Sequence, residues 1–167
     1  MNFEYKHLLP QHFDPQSKVW IYQSSRLFAM SEALQIEEIL QNFVGTWNSH
    51  GTPVKGYANL LFGQFIVFIA DESATTVSGC STDSSVHIIK QLETACKVSL
   101  FDRQSLAFVV KDKLQIIPLP QLEYSLQNNF LTIDTLYFNN TVLTLQALQT
   151  EWLVPIKNSW LAKVVSV

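Results

Sequence analysis

Cys80, Asp83 and His87 stand in a Cys-x2-Asp-x3-His array. On a helix that spacing puts a thiolate, a carboxylate and an imidazole on one face, a donor set suited to zinc. His50 or Asp102 would supply a fourth ligand if the fold brings either close. Cys80 is the candidate catalytic residue. It follows Gly79 and precedes the expected start of a helix by two to three residues. A helix N-terminus stabilises a thiolate and lowers its pKa below the free value of about 8.5. The competing reading is a small packed cysteine in a tight loop. Asp83 and His87 likewise have a structural reading, Asp83 as a helix cap on a solvated face that Lys90 and Gln91 continue. Arg103, in Phe101-Asp102-Arg103, is the candidate for binding an anion, because a guanidinium fork matches carboxylate or phosphate. A local ion pair with Asp102 is the alternative there. Ser81, Ser84 and Ser85 read as caps, since no Gly-x-Ser-x-Gly elbow is present.

The elements that must position these groups follow from hydrophobic period. Val19–Tyr22 reads as a short strand after an irregular arm, residues 1–17. Ile36, Ile39, Leu40, Phe43, Val44 and Trp47 form a helical stripe, with Ser31 as its expected cap and Gly51 and Pro53 beyond its end. Tyr57–Phe62 and Phe65–Ala70 flank Gly63-Gln64, the pattern of a type II′ hairpin. Phe65-Ile66-Val67-Phe68-Ile69 is apolar on both faces and predicts a central strand. A loop over residues 71–81 leads into a helix over residues 82–97, whose stripe is Ile88, Ile89, Leu92, Ala95 and Cys96. Leu106–Val110 and Leu114–Pro118 predict a second hairpin around Lys111-Asp112-Lys113. A short helix after Pro118 and Pro120, a strand over Thr135–Phe138, and a helix capped by Thr144 with a Leu143–Leu148 staple complete the reading. The tryptophans, Trp20, Trp47, Trp152 and Trp160, read as core or tail-docking groups. The fold class expected is α+β, a mainly antiparallel sheet of two hairpins plus an N-terminal strand, with helices packed against it.

Composition limits the function classes. The chain has 167 residues, which predicts one domain over 1–167. Apolar residues make up 47% and charged residues 15%, so the chain has ample material for a core and lacks the charge-rich signature of disorder. The net charge is −3, and the eleven basic residues are scattered; no run of them is placed to neutralise phosphates, which argues against general nucleic-acid binding. The longest apolar run, Leu60–Ala70, falls short of the roughly 20 residues of a membrane span. The first residues show no charged-then-apolar signal pattern, and a cytoplasmic location is the expectation. Cys80 and Cys96 would lie at opposite ends of one helix, roughly 20 Å or more apart, beyond disulfide reach.

Six segments together resemble one family. They are Val19–Ser24, Trp47 with His50-Gly51, Asp71–Ser73 with Ser78–Val86, Phe101–Arg103, Phe138–Asn140, and Trp152–Ala162. The family comprises small bacterial proteins of unknown function that often carry the label "ABC transporter ATPase". The resemblance implies no established activity. The label itself implies nucleotide binding, and the residues speak against hydrolysis. A phosphate loop needs G-x-x-x-x-G-K-[ST], and the nearest segment, Gly51–Ala58, has Tyr57 and Ala58 where Lys and Ser/Thr are required. Asp71-Glu72 after an apolar strand imitates a Walker B ending without a Walker A partner. The strand, Gly-Cys and amphipathic-helix order around Cys80 also resembles the sulfur-accepting loop of iron–sulfur scaffold proteins over about ten residues. The leading expectation is a non-enzymatic cytosolic protein that binds a protein partner or small ligand. The alternatives are a reactive-thiol or metal site around Cys80, and a nucleotide-binding protein. The sequence names no cofactor.

Overall fold

The structure, a computed structural model, describes residues 1–74 and 79–165, apart from the side chains of residues 79–81. In chain order the elements are β1 (Lys18–Gln23), α1 (Met30–Thr46), β2 (Asn48–Ser49), β3 (Thr52–Pro53), β4 (Lys55–Leu61), β5 (Phe65–Asp71), α2 (Gly79–Cys96), β6 (Ser105–Val110), β7 (Lys113–Pro118), α3 (Leu122–Gln127), β8 (Leu136–Phe138), α4 (Leu145–Glu151), β9 (Leu153–Pro155) and α5 (Leu161–Val164). The fold is α+β, with every strand pair antiparallel.

Two sheets carry the architecture. The first has the order β1-β5-β4 and the second β7-β6-β8-β9. Every residue of β5 is buried, as expected of a strand paired on both edges and covered on both faces. Its alternation divides the core. Ile66, Phe68 and Ala70 face outward to a cluster with Ile36, Leu40, Phe43 and Trp47 of the α1 region and Ile89 and Leu92 of α2. Phe65, Val67 and Ile69 face inward to Ala107, Phe138, Leu145, Leu148 and Trp152. The outer face of the second sheet, Leu106, Phe108 and Tyr137, packs on Leu122, Ile156 and Leu161. The layers are therefore helix, sheet, sheet, helix. Each large side chain so buried contributes roughly 1.5–3 kcal/mol by removal from water.

Several local features depart from the sequence reading. Ser31 lies inside α1, and the N-cap is Ala29. The Glu32 carboxylate folds back to accept the Ala29 N–H at 2.7 Å and pairs with both Arg26 nitrogens at 2.9 Å, so a carboxylate reached from within the helix replaces the hydroxyl cap. The first hairpin turn has left-handed φ at Phe62 and Gly63, with Gln64 N–H bonded to Leu61 C=O. That is a type I′ pattern centred one residue earlier than expected. Gln64 is buried because its side chain bonds Ser24 C=O at 2.7 Å. Helix α2 begins at Gly79, three residues before the expected start, so Asp83 lies in its second turn and is not the cap. Small polar residues fill the first turns, and the apolar stripe that betrays a helix begins only later. Ala95 is exposed, outside the buried stripe. Thr144 caps α4 through Ala147 N–H at 3.1 Å, but Leu143 is 72% exposed and makes no staple with the buried Leu148. Among the described residues no helix is long and apolar enough to cross a membrane.

Candidate functional site

The first sheet's edge strand, β1, meets the second sheet through side-chain amides. Val19, Ile21 and Gln23 alternate inward along β1, which places a polar group at the end of an otherwise apolar row. Gln23 Nε2 donates to Ser105 C=O at 2.8 Å. Gln23 Oε1 accepts from Asn140 Nδ2 at 2.9 Å, and Asn140 Oδ1 accepts from the Trp152 indole N–H at 2.9 Å. This relay runs from the fully buried Trp152 through both amides to the start of β6. Its members' rotamers are fixed by one another, which pre-organises a polar wall.

That wall bounds a cleft of ≈ 270 Å³. Its lining comes from well-separated segments: Gln23 on β1, Asp102 and Arg103 before β6, Tyr137 on β8, Asn140 after it, and Trp160 near the C-terminal helix. Tyr137 is 3% exposed, and its hydroxyl accepts from Trp160 Nε1–H at 3.2 Å. Burial pushes the Tyr137 hydroxyl up to about 12, so it is a neutral O–H donor throughout the physiological range. The Asp102 carboxylate accepts from Ser105 Oγ at 2.7 Å and from Gln104 N–H at 2.8 Å. These bonds, the Ser105 hydroxyl first, hold it below the usual carboxylate range. Arg103 is exposed at the cleft. It forms no ion pair with Asp102, whose two oxygens serve the loop. Burial raises the nearby Tyr22 hydroxyl, and the Arg103 charge and Ser85 hydroxyl act in the opposite direction.

A second, more open groove of ≈ 670 Å³ lies between the C-terminal end of α1 and the N-terminal half of α2. Phe43 and Trp47 form one side; Asp83, Ser84 and His87 form the other. Asp83 and His87 thus share a surface, as their spacing implies. His87 has a ring nitrogen 3.2 Å from Gln91 Nε2 on the same exposed helix face. The Cys80 backbone lies in the first turn of α2, within the helix and not in a loop ahead of it; the Cys80 side chain is outside the described residues. Asp102 belongs to the other cleft and does not complete this array. Among the described residues no group of three His, Cys, Asp or Glu side chains is placed to hold a metal ion.

The Walker B-like pair is taken up structurally. Asp71 is 2% exposed. Its Oδ1 accepts from Ser73 N–H at 2.9 Å, and its Oδ2 accepts from Asp14 N–H at 3.1 Å and meets Lys55 Nζ at 3.0 Å. Burial pushes the carboxyl up, but the bonds from Ser73, Asp14 and Lys55 outweigh it and hold it well below the usual range. Glu72 pairs with Lys18 at 3.1 Å. The pair fastens the N-terminal arm to the sheet edge.

Arg103, expected from its residue type as an anion-binding candidate, lines this cleft, whereas Gln23, Tyr137, Asn140 and Trp160, which also line it, were not anticipated as site residues. One signal for Gln23 was available: a polar residue in the inward register of a strand whose other inward residues are apolar. The remaining three meet only through the packing of the second sheet. Compared with family models, curated proteins and solved structures, the chain matches none.

Proposed function

We propose that this is a non-enzymatic cytosolic binding protein whose ligand is a small polar molecule seated in the cleft beside the start of β6 and the end of β8. The observation that carries this reading is the relay Trp152–Asn140–Gln23–Ser105. It spends the buried Gln23 amide and the half-buried Asn140 amide on fixing the wall of a concavity, where apolar residues would have packed the sheets with less desolvation. Among the described residues, the hydroxyl–carboxylate contact at the cleft is Ser105 with Asp102, which supports binding over catalysis. Asp102 is held ionised by its hydrogen bonds, which weakens it as a base, and among the described residues no imidazole lines the cleft to activate the hydroxyl.

Thermal denaturation against a library of small polar metabolites tests the reading. A ligand is expected to raise the melting temperature in a concentration-dependent way. Thr141→Trp, at the exposed rim, would fill the cleft entrance and abolish that rise. A library with no stabilising compound, or stabilisation that persists in Thr141→Trp, would remove the cleft from consideration.

A further inference from the structure

The hydrogen-bonding groups around the cleft are unevenly used, and the imbalance names the ligand's chemistry. The acceptors are engaged: Gln23 Oε1 by Asn140, Asn140 Oδ1 by Trp152, Asp102 Oδ1 by Gln104 and Asp102 Oδ2 by Ser105. The strongest donors are not. Tyr137, buried with its oxygen already accepting from Trp160, has no acceptor for its own hydroxyl hydrogen among the described residues. The Arg103 guanidinium makes no hydrogen bond or ion pair among them either. A buried O–H without an acceptor is costly, and a guanidinium fork is built for two parallel oxygens.

Resting on the cleft-binding reading above, we propose that the ligand carries an oxyanion, a carboxylate or a phosphate group, which is read by the Arg103 guanidinium and the Tyr137 hydroxyl together. The negative group facing this site, the Asp102 carboxylate, is turned to its own loop by its two bonds and leaves Arg103 to the ligand. The cleft volume of ≈ 270 Å³ restricts the ligand to a compact molecule, or to one acidic group of a larger one, since drug-sized pockets begin at roughly 300 Å³.

Trp160 supplies a local reporter, because its indole N–H is bonded to the Tyr137 hydroxyl. Its NMR cross-peak is followed while acetate, succinate, inorganic phosphate and the uncharged acetamide are each titrated at constant ionic strength. The expected result is a saturable shift with acetate, succinate or phosphate and none with acetamide. The carboxylate and phosphate arms distinguish the two oxyanions. Arg103→Gln, at an exposed position, weakens the anion response by roughly tenfold, the loss of one charged hydrogen bond; Arg103→Lys restores part of it. Tyr137→Phe removes the response while leaving the protein folded by circular dichroism. Should acetamide saturate the resonance and the anions fail, the oxyanion assignment is wrong and cleft binding stands. Should the anions shift the resonance equally in Arg103→Gln, the assignment to Arg103 is wrong. If no anion moves the resonance and the metabolite library also gives no stabilising compound, both the assignment and the binding reading fall.

Discussion

Gln23 and Asn140 lie 117 positions apart in the chain and are joined by a hydrogen bond of 2.9 Å. It ties the edge strand of the first sheet to the loop after β8 in the second. Asn140 also receives the Trp152 indole N–H, so its one side chain satisfies groups on two other segments. Asn140→Ala leaves the buried Trp152 N–H and the Gln23 carbonyl oxygen unpaired, and is expected to cost about 1–3 kcal/mol for each group stranded. Urea denaturation of Asn140→Ala, Gln23→Ala and the double variant checks this. The double variant should lose less than the sum of the singles, because the two share one bond.

Asp71 predicts a pH signature. Its folded carboxyl lies below its unfolded value of about 3.9, so the stability it supplies is present above that value and is lost as the pH falls through the folded one. Asp71→Asn is expected to be less stable than the parent at pH 7 by roughly 1–3 kcal/mol. The gap should narrow as the pH drops below about 4, where the carboxyl of the unfolded chain begins to protonate while the folded one is still ionised. Melting temperatures of both proteins between neutral and strongly acid pH measure the difference; a gap that stays constant would contradict the role assigned to Asp71.

The two cysteines can be separated chemically. Burial pushes the Cys96 thiol above its ordinary value, Glu32 adds to this, and Arg26 partly offsets it. Fewer thiolates at neutral pH mean a slow nucleophile. In a Cys80→Ser variant the remaining thiol is expected to alkylate with iodoacetamide more slowly than free cysteine. In the parent protein, a second thiol reacting faster than free cysteine would mark Cys80 as activated, and two slow thiols would argue against the reactive-thiol alternative.

Gly56 on β4 lies beneath the Trp47 ring. A Cβ there would come within 2.5 Å of Trp47 Cε3 and 2.9 Å of Cζ3, so Gly56→Ala must displace the indole. We expect a loss of about 1–3 kcal/mol from overpacking, together with a shift in tryptophan emission. Adding Trp47→Leu should make the Gly56→Ala change cheaper than it is in the parent, which a double-variant cycle would register.

The elements with a strong apolar period were legible. The central position of β5 follows from Phe65–Ile69, and the core face of α1 from Ile36, Leu40, Phe43 and Trp47. Elements without such a period were not. The β2–β3 pair is two residues per strand, and β9 lies in a tail whose apolar groups also suit simple docking. The start of α2 hid among Ser, Thr and Gly, which serve loops and first turns alike. The cleft was half legible. Arg103 announces itself by residue type, whereas Tyr137 and Trp160 become partners only when two sheets and a C-terminal segment are stacked. No local pattern encodes that meeting.

The bonds that join the sheets also constrain the order in which the molecule can form. Tyr5 Oη–H reaches Leu148 C=O across 143 positions, and β1 contacts Thr144 through an isolated bridge. A growing chain on the ribosome can pair β1, β4 and β5 early, but the cover of their inward face is incomplete until Phe138, Leu145, Leu148 and Trp152, in the last quarter of the sequence, are made. Long-range closure of this kind slows folding and leaves Phe65, Val67 and Ile69 exposed in the partly synthesised chain, where such apolar strands are prone to associate. The same connectivity that builds the cleft would make the nascent protein a natural client for chaperones.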